Sequence, residues 1–131
     1  MYIDLIAIIL SVVSAMVLGA LWYSPLMFGK MWMKYMDISA AHLGKAKEKG
    51  TAHLYALNFV FAIARAIVIY ILFIAGFELL SVFAIWIGFS LSVYADAVLW
   101  EGKPWKIFFI NAGYGLVSSA FTFEILRIFL A

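Results

Sequence analysis

Residues 54–77 read LYALNFVFAIARAIVIYILFIAGF, a continuous apolar run in which Arg65 is the only charged side chain. A helix rises about 1.5 Å per residue, so roughly 20 residues cross the hydrocarbon core of a bilayer. The run therefore has the length and composition of a transmembrane helix. Similar runs at about residues 5–25, 79–100 and 105–130 predict an all-α integral membrane protein, with four spans in one domain covering residues 1–131.

The composition agrees with a membrane protein and argues against several other classes. Of the residues, 68% are hydrophobic and 12% are charged, whereas a soluble domain carries about 25% charged residues. The net charge of +2 is too small to indicate nucleic-acid binding, and the absence of cysteine excludes thiolate chemistry. His42 and His53 do not have metal-ligand spacing, and no phosphate-binding or nucleophile motif is present. We therefore expect no metal, no cofactor and no enzymatic activity.

Lysines are distributed unevenly among the connections. The connection at residues 26–51 carries five lysines, beginning with Lys30 and Lys34, and the turn before the fourth span carries Lys103 and Lys106. The turn between the second and third spans has none. Positively charged loops stay on the cytoplasmic side, so we expect these lysines at the cytoplasmic interface of the plasma membrane and both termini outside.

Residues 26–38 differ from both a span and an ordinary loop. Pro25 disfavours helix at the preceding residue, which predicts a break after the first span. Beyond the break, Lys30 and Lys34 lie one helical turn apart within an otherwise largely apolar segment. This pattern indicates an amphipathic helix in the headgroup plane, against membrane lipid. A straight extension of the first span is the alternative.

The second and third spans are joined by Gly76-Phe77-Glu78. Because this connection is so short, we expect the two helices to be adjacent and antiparallel.

Three blocks of sequence resemble a known family. They are GALWYSPLMFGK at residues 19–30, WEGKP at residues 100–104 and INAGY at residues 110–114. Together they resemble the small bacterial membrane proteins grouped as domain of unknown function 1761, over nearly the whole chain. The resemblance implies a four-span membrane domain. It implies no activity, because the family has no established one to transfer.

Polar residues inside the spans form a candidate intramembrane site, since each such residue needs a partner or a function. Arg65 is the deepest, roughly 15 Å from the outer end of its span by helical rise. Asn58, Asp96 and Asn111 lie at similar depths near the cytoplasmic side. If their faces converge, they form a polar pocket floored by Arg65; if not, each bonds a neighbouring backbone. We expect Arg65 to contact Glu124 across the bundle or, failing that, carbonyl and hydroxyl oxygens.

Glu124 also has a neighbour of opposite charge on its own helix. Arg127 lies three residues further along, a spacing that allows an ion pair.

Small and hydroxyl-bearing residues form a row on each of the last two spans. The rows are Gly88 and Ser92, ending in Asp96, in the third span, and Asn111, Gly115, Ser118 and Thr122 in the fourth. Small residues let helices approach closely and hydroxyls bond across the gap, so the rows favour helix packing.

Two functions fit these observations. The first is a non-enzymatic membrane component or accessory protein, working with lipid or an unidentified protein partner. The alternative is a transporter or channel for small solutes or ions, with a polar interior around Arg65 and Asp96. Four short helices can hardly enclose a path, so transport would require self-association. We expect a homo-oligomer.

Overall fold

The computed structural model describes residues 2–35 and 52–130. Within these residues the chain is helical, without strands, and forms α1 (Tyr2–Trp22), α2 (Gly29–Tyr35), α3 (Ala52–Ile74), α4 (Leu79–Leu99) and α5 (Trp105–Leu130). The four long helices have the length and the apolar composition needed to cross a membrane. The predicted all-α membrane fold with four spans is therefore confirmed.

The first span ends where the proline requires it. Helix α1 stops at Trp22, and the chain then turns, with the Gly29 N–H donating a hydrogen bond of 2.8 Å to the Ser24 carbonyl. A side chain at Gly29 would overlap the backbone of this turn, so the position requires glycine. Helix α2 begins there, within the segment 26–38 that was predicted to be helical. Its placement in the headgroup plane stays a prediction, and residues 36–38 lie outside the described residues.

Helix α5 packs against each of the other four helices. Its packing surface includes a row of small residues, in which Gly115, Ser118 and Thr122 are buried. Small side chains let neighbouring backbones approach closely where lipid offers no hydrophobic driving force. The packing row predicted for the fourth span is confirmed.

Two apolar clusters complete the core. One joins all four long helices, and the other joins α1 to α3. Their buried members are Ala7, Ile69, Val82, Phe123 and Leu126 in the first cluster, and Val12, Ala62 and Ala66 in the second.

Helices α3 and α4 meet at their short connection, but they do not pack closely along their lengths. Gly76 adopts φ 91° in the turn, a left-handed conformation that suits glycine. Near this turn, Phe73 and Leu79 pack on the same core cluster. Beyond it the helices separate, because α3 packs mainly on α1 and α5 whereas α4 packs mainly on α5. A cleft is left between them.

The described part of the first lysine-bearing connection lies at the same end of the bundle as the second. The ammonium nitrogens of Lys34 and Lys106 lie 5.7 and 5.2 Å from the ring centroid of Tyr35. We term this the lysine end; it carries Lys30, Lys34, Lys103 and Lys106. The opposite end, which carries the α3–α4 turn, is termed the far end.

Candidate functional site

The cleft between α3 and α4 has a volume of about 410 Å³ and is floored by α5. This volume falls within the range of small-molecule sites, roughly 300–1,000 Å³. Its walls are mostly apolar. The apolar lining residues are Val68, Ile69, Leu72, Val82, Ile85, Trp86 and Phe89.

Four polar side chains line the same cleft: Arg65, Ser90, Tyr94 and Ser119. Arg65 lies roughly 13 Å along α3 from the far end, by helical rise. Ser90 and Tyr94 come from the half of α4 nearer the lysine end, whereas Leu72 and Val82 lie near the far end. The cleft is therefore polar in the part nearer the lysine end and apolar toward the far end.

Arg65 is a half-buried cation without a partner of opposite charge. Its guanidinium carbon lies 5.6 Å from the ring centroid of Tyr114, a cation–π contact. Among the side chains that the structure describes, those of residues 2–35 and 56–130, none forms an ion pair or a hydrogen bond with Arg65. Within this part of the chain, the guanidinium donors have no acceptor, which leaves them available to a ligand.

The predicted contact between Arg65 and Glu124 is wrong. The Glu124 carboxylate instead accepts hydrogen bonds from Arg127, one of 2.9 Å from Nε, and forms an ion pair with it. This confirms the pairing on the same helix. The reason is axial distance: Arg65 lies against Tyr114, and Glu124 is ten residues further along α5, or roughly 15 Å.

Ser119 is an unsatisfied hydroxyl at the floor of the cleft. Its side chain is fully buried, and its Oγ has no hydrogen-bond partner among the described residues. By contrast, the hydroxyls of Ser118 and Thr122 donate to backbone carbonyls of their own helix. A buried polar group without a partner costs about 1–3 kcal/mol. The sequence reasoning missed Ser119 because it lies one residue away from the small-residue row.

A second cavity, of about 630 Å³, is lined by residues of α1, α3 and α5 together with Tyr23. Asn58 and Tyr114 are among the residues that line it. The Tyr114 hydroxyl donates a hydrogen bond of 2.7 Å to the Ala15 carbonyl, which fixes the ring. Arg65 and Tyr114 thus stand in contact between the two cavities.

The polar residues predicted from the sequence do not gather in one pocket. Asn58 lines the second cavity and Arg65 lines the cleft, while Asp96 lines neither of the two and is exposed on α4. The Asn111 side-chain oxygen accepts a hydrogen bond of 2.7 Å from the Tyr23 hydroxyl. Hydropathy gives no reason to expect a hydrogen bond at Tyr23, and the sequence analysis predicted none.

The side chains that line the cleft suit an anionic ligand. Its lining contains one cation and three hydroxyl groups, and no carboxylate. Hydrogen bonds between a guanidinium and an anionic oxygen are about twice as strong as those between neutral groups. An acidic group placed beside Arg65 would therefore satisfy the cation.

Comparison with known proteins identifies a family. A family model described as "Protein of unknown function (DUF1761)" matches residues 6–122. These include Arg65, Tyr114 and Ser119, whereas Glu124 and Arg127 lie beyond the match. No curated protein and no solved structure matches the chain. Because the family model covers most of the four-helix bundle, the chain belongs to the DUF1761 family of proteins of unknown function.

Proposed function

We propose that this protein is a non-enzymatic membrane component that works as a homo-oligomer, assembled through the outer face of α4. The observation that carries the proposal is a row of small residues on a face that no described helix covers. Ala84, Gly88 and Ser92 follow one another at four-residue spacing, and all are exposed. Asp96 continues the row and is also exposed.

This row faces away from the rest of the bundle. Helical residues turn by about 100° each, so Gly88 lies nearly opposite Trp86, which packs on α5. Val82 is the one fully buried residue of α4. Small residues at four-residue spacing are the surface that closely packed membrane helices use. The outer face of α4 therefore has the composition of an interface, and no described part of its own chain covers it.

Charge complementarity favours a second copy as that partner. Asp96 forms no ion pair within the described chain. The Lys103 N–H donates a hydrogen bond of 3.0 Å to the Ala97 carbonyl, which brings Lys103 back to the depth of Asp96. In a two-fold symmetric dimer through α4, this shared depth would allow each Asp96 carboxylate to pair with the Lys103 ammonium of the other copy. Such an interface is self-complementary.

Disulfide cross-linking tests this interface, because the chain contains no native cysteine. We expect Gly88→Cys and Ser92→Cys to form covalent dimers in oxidised membranes. Phe61→Cys is the matched control: Phe61 is exposed on α3, as far from the far end of its helix as Ser92 is on α4. Absence of dimers at both α4 positions, or equal cross-linking at Phe61, would contradict the proposal.

A transporter is the second candidate, favoured by the two cavities that adjoin the Arg65–Tyr114 contact. If the protein is a transporter, liposomes that contain it should release chloride or acetate faster than protein-free liposomes. Arg65→Gln should then remove the flux and leave the cross-linking through Ser92→Cys intact. If the parent protein carries no flux of either anion, the non-transporting component is the better account.

A further inference from the structure

We infer that the cleft between α3 and α4 binds an anionic amphiphile with a single acidic head group and a hydrocarbon chain. The head group lies at Arg65, and the chain follows the apolar walls toward the far end. The site lies within one copy of the chain. It therefore goes beyond the proposed function and does not depend on the α4 interface.

The first observation is the unneutralised charge. Arg65 lies near the middle of its span, where a charged side chain is expensive unless it is paired. Tyr114 contributes a ring face at 5.6 Å, but this neutral ring leaves the guanidinium N–H donors without acceptors. A carboxylate in the cleft would accept from these donors and cancel the charge.

The second observation is independent of Arg65. The Ser119 hydroxyl is buried from solvent and lines the same cleft, with no hydrogen-bond partner in residues 2–35 and 52–130. Buried hydroxyls in folded proteins almost always have a partner. Ser119 lies on α5 four residues beyond Gly115, against which Trp86 packs. An unpartnered hydroxyl and an unpaired cation in one cavity both point to a missing polar group.

The distribution of polarity selects the class of ligand. A small inorganic anion would satisfy Arg65 but leave the apolar part of the cleft empty, around Leu72, Val82 and Ile85. A hydrocarbon alone would fill that part and leave Arg65 unpaired. An amphiphile does both. Phe89 is 78% exposed at the rim, so the cleft is open to the lipid phase from which such a molecule would enter.

Fluorescence quenching of Trp86 tests the site directly. The probe is a stearic acid brominated in mid-chain, added to the protein in detergent micelles. We expect quenching that saturates as the acid is added. The part of the quenching that is due to Trp86 is the difference between the quenching of the parent and that of Trp86→Phe. Arg65→Gln should raise the half-saturating concentration about tenfold or more, because it removes a charge-assisted hydrogen bond.

Two controls separate specific binding from general affinity for detergent. Arg127→Gln removes the same charge outside the cleft and should leave the half-saturating concentration unchanged. The methyl ester of the brominated acid has the same chain without the charge, and it should bind about tenfold more weakly to the parent.

The acid–ester comparison uses the parent protein, so it decides the matter even if Arg65→Gln fails to fold. Equal quenching by acid and ester would show an apolar groove without an anion site and would overturn the inference. Absence of any quenching due to Trp86 at saturating acid would overturn it as well. Neither result bears on cross-linking at Gly88 or Ser92, so failure of this inference and failure of the proposed oligomer are distinguishable.

Discussion

The indole ring of Trp86 lies against the backbone of Gly115, so closely that a β-carbon at Gly115 would overlap the ring. This contact fixes α4 on α5 and makes Trp86 a wall of the cleft. The ring of Trp22 packs less tightly on Gly113, where a β-carbon would lie 3.0 Å from the indole. Aromatic rings of two neighbouring helices thus pack against two glycines of α5.

Gly115→Ala should therefore destabilise the bundle. Overpacking of a filled site costs about 1–3 kcal/mol, and here the new methyl group meets a rigid ring. The measurement is unfolding in detergent, followed by tryptophan emission. Gly88→Ala, measured in detergent with the protein dilute enough to be monomeric, is the matched control, because within one copy a β-carbon at Gly88 meets no described atom within 4 Å. Equal destabilisation by the two substitutions would show that the Trp86 contact is not what matters.

Tyr23→Phe should lower the free energy of unfolding by about 0.5–1.5 kcal/mol, the usual net value of a hydrogen bond. The Tyr23 hydroxyl donates to Asn111 across 2.7 Å and ties the end of α1 to α5. Tyr2→Phe is the control, since the Tyr2 side chain is 82% exposed. The prediction fails if both variants unfold like the parent.

The same variant should show a pH dependence. Burial, together with the neighbouring phenols of Tyr94 and Tyr114, raises the pKa of Tyr23 above its ordinary value of 10.0. A pKa raised in the folded state gives stability that is fully present below the unfolded pKa and is lost as pH rises above it. The difference in unfolding free energy between parent and Tyr23→Phe should thus hold up to about pH 10 and shrink at higher pH. A difference that grows in alkali would contradict the raised pKa.

Apolar run length was enough to predict the four spans, but their ends depend on other forces. Helix α1 begins at Tyr2, before the predicted boundary near residue 5, and Asp4 falls in its first turn. A carboxylate is favourable at a helix N-terminus, so charge extends the helix where hydropathy alone would end it. Asp4 also accepts a hydrogen bond from Tyr70 of α3. This hydrogen bond joins residues far apart in the chain, and the sequence around neither residue predicts it.

The candidate site was predictable only in part, because periodicity gives the face of a helix and not its partner. Arg65 was predicted as a site residue because a charged side chain is unfavourable in hydrocarbon, and it does line a cleft. One wall of the cleft is Trp86, which docks on Gly115, and this contact joins residues far apart in sequence. Ser119 became notable only because its hydroxyl has no partner in the part of the chain that the structure describes, and finding this requires the positions of its neighbours.

The orientation of the bundle in the membrane can be tested at two matched glutamates. Glu78 is exposed in the far-end turn, and Glu101 is exposed in the lysine-bearing turn between α4 and α5. The lysine distribution predicts that the lysine end faces the cytoplasm. In intact cells, an impermeant thiol reagent should therefore label Glu78→Cys and should label Glu101→Cys only after lysis. The reverse pattern would invert the predicted topology.

A double-mutant cycle between Arg65 and Glu124 distinguishes the observed packing from the contact predicted by sequence. Arg65 lies against Tyr114, and Glu124 is paired with Arg127, so the two side chains share no partner. Arg65→Leu and Glu124→Leu should thus have additive effects on unfolding free energy, within about 0.3–0.5 kcal/mol. The parallel cycle of Glu124→Leu with Arg127→Leu should show a small coupling of roughly 0.2–1 kcal/mol, as expected for a partly exposed pair. A coupling between Arg65 and Glu124 larger than that of the Glu124–Arg127 pair would mean that the two charges meet in the folded protein, contrary to the structure.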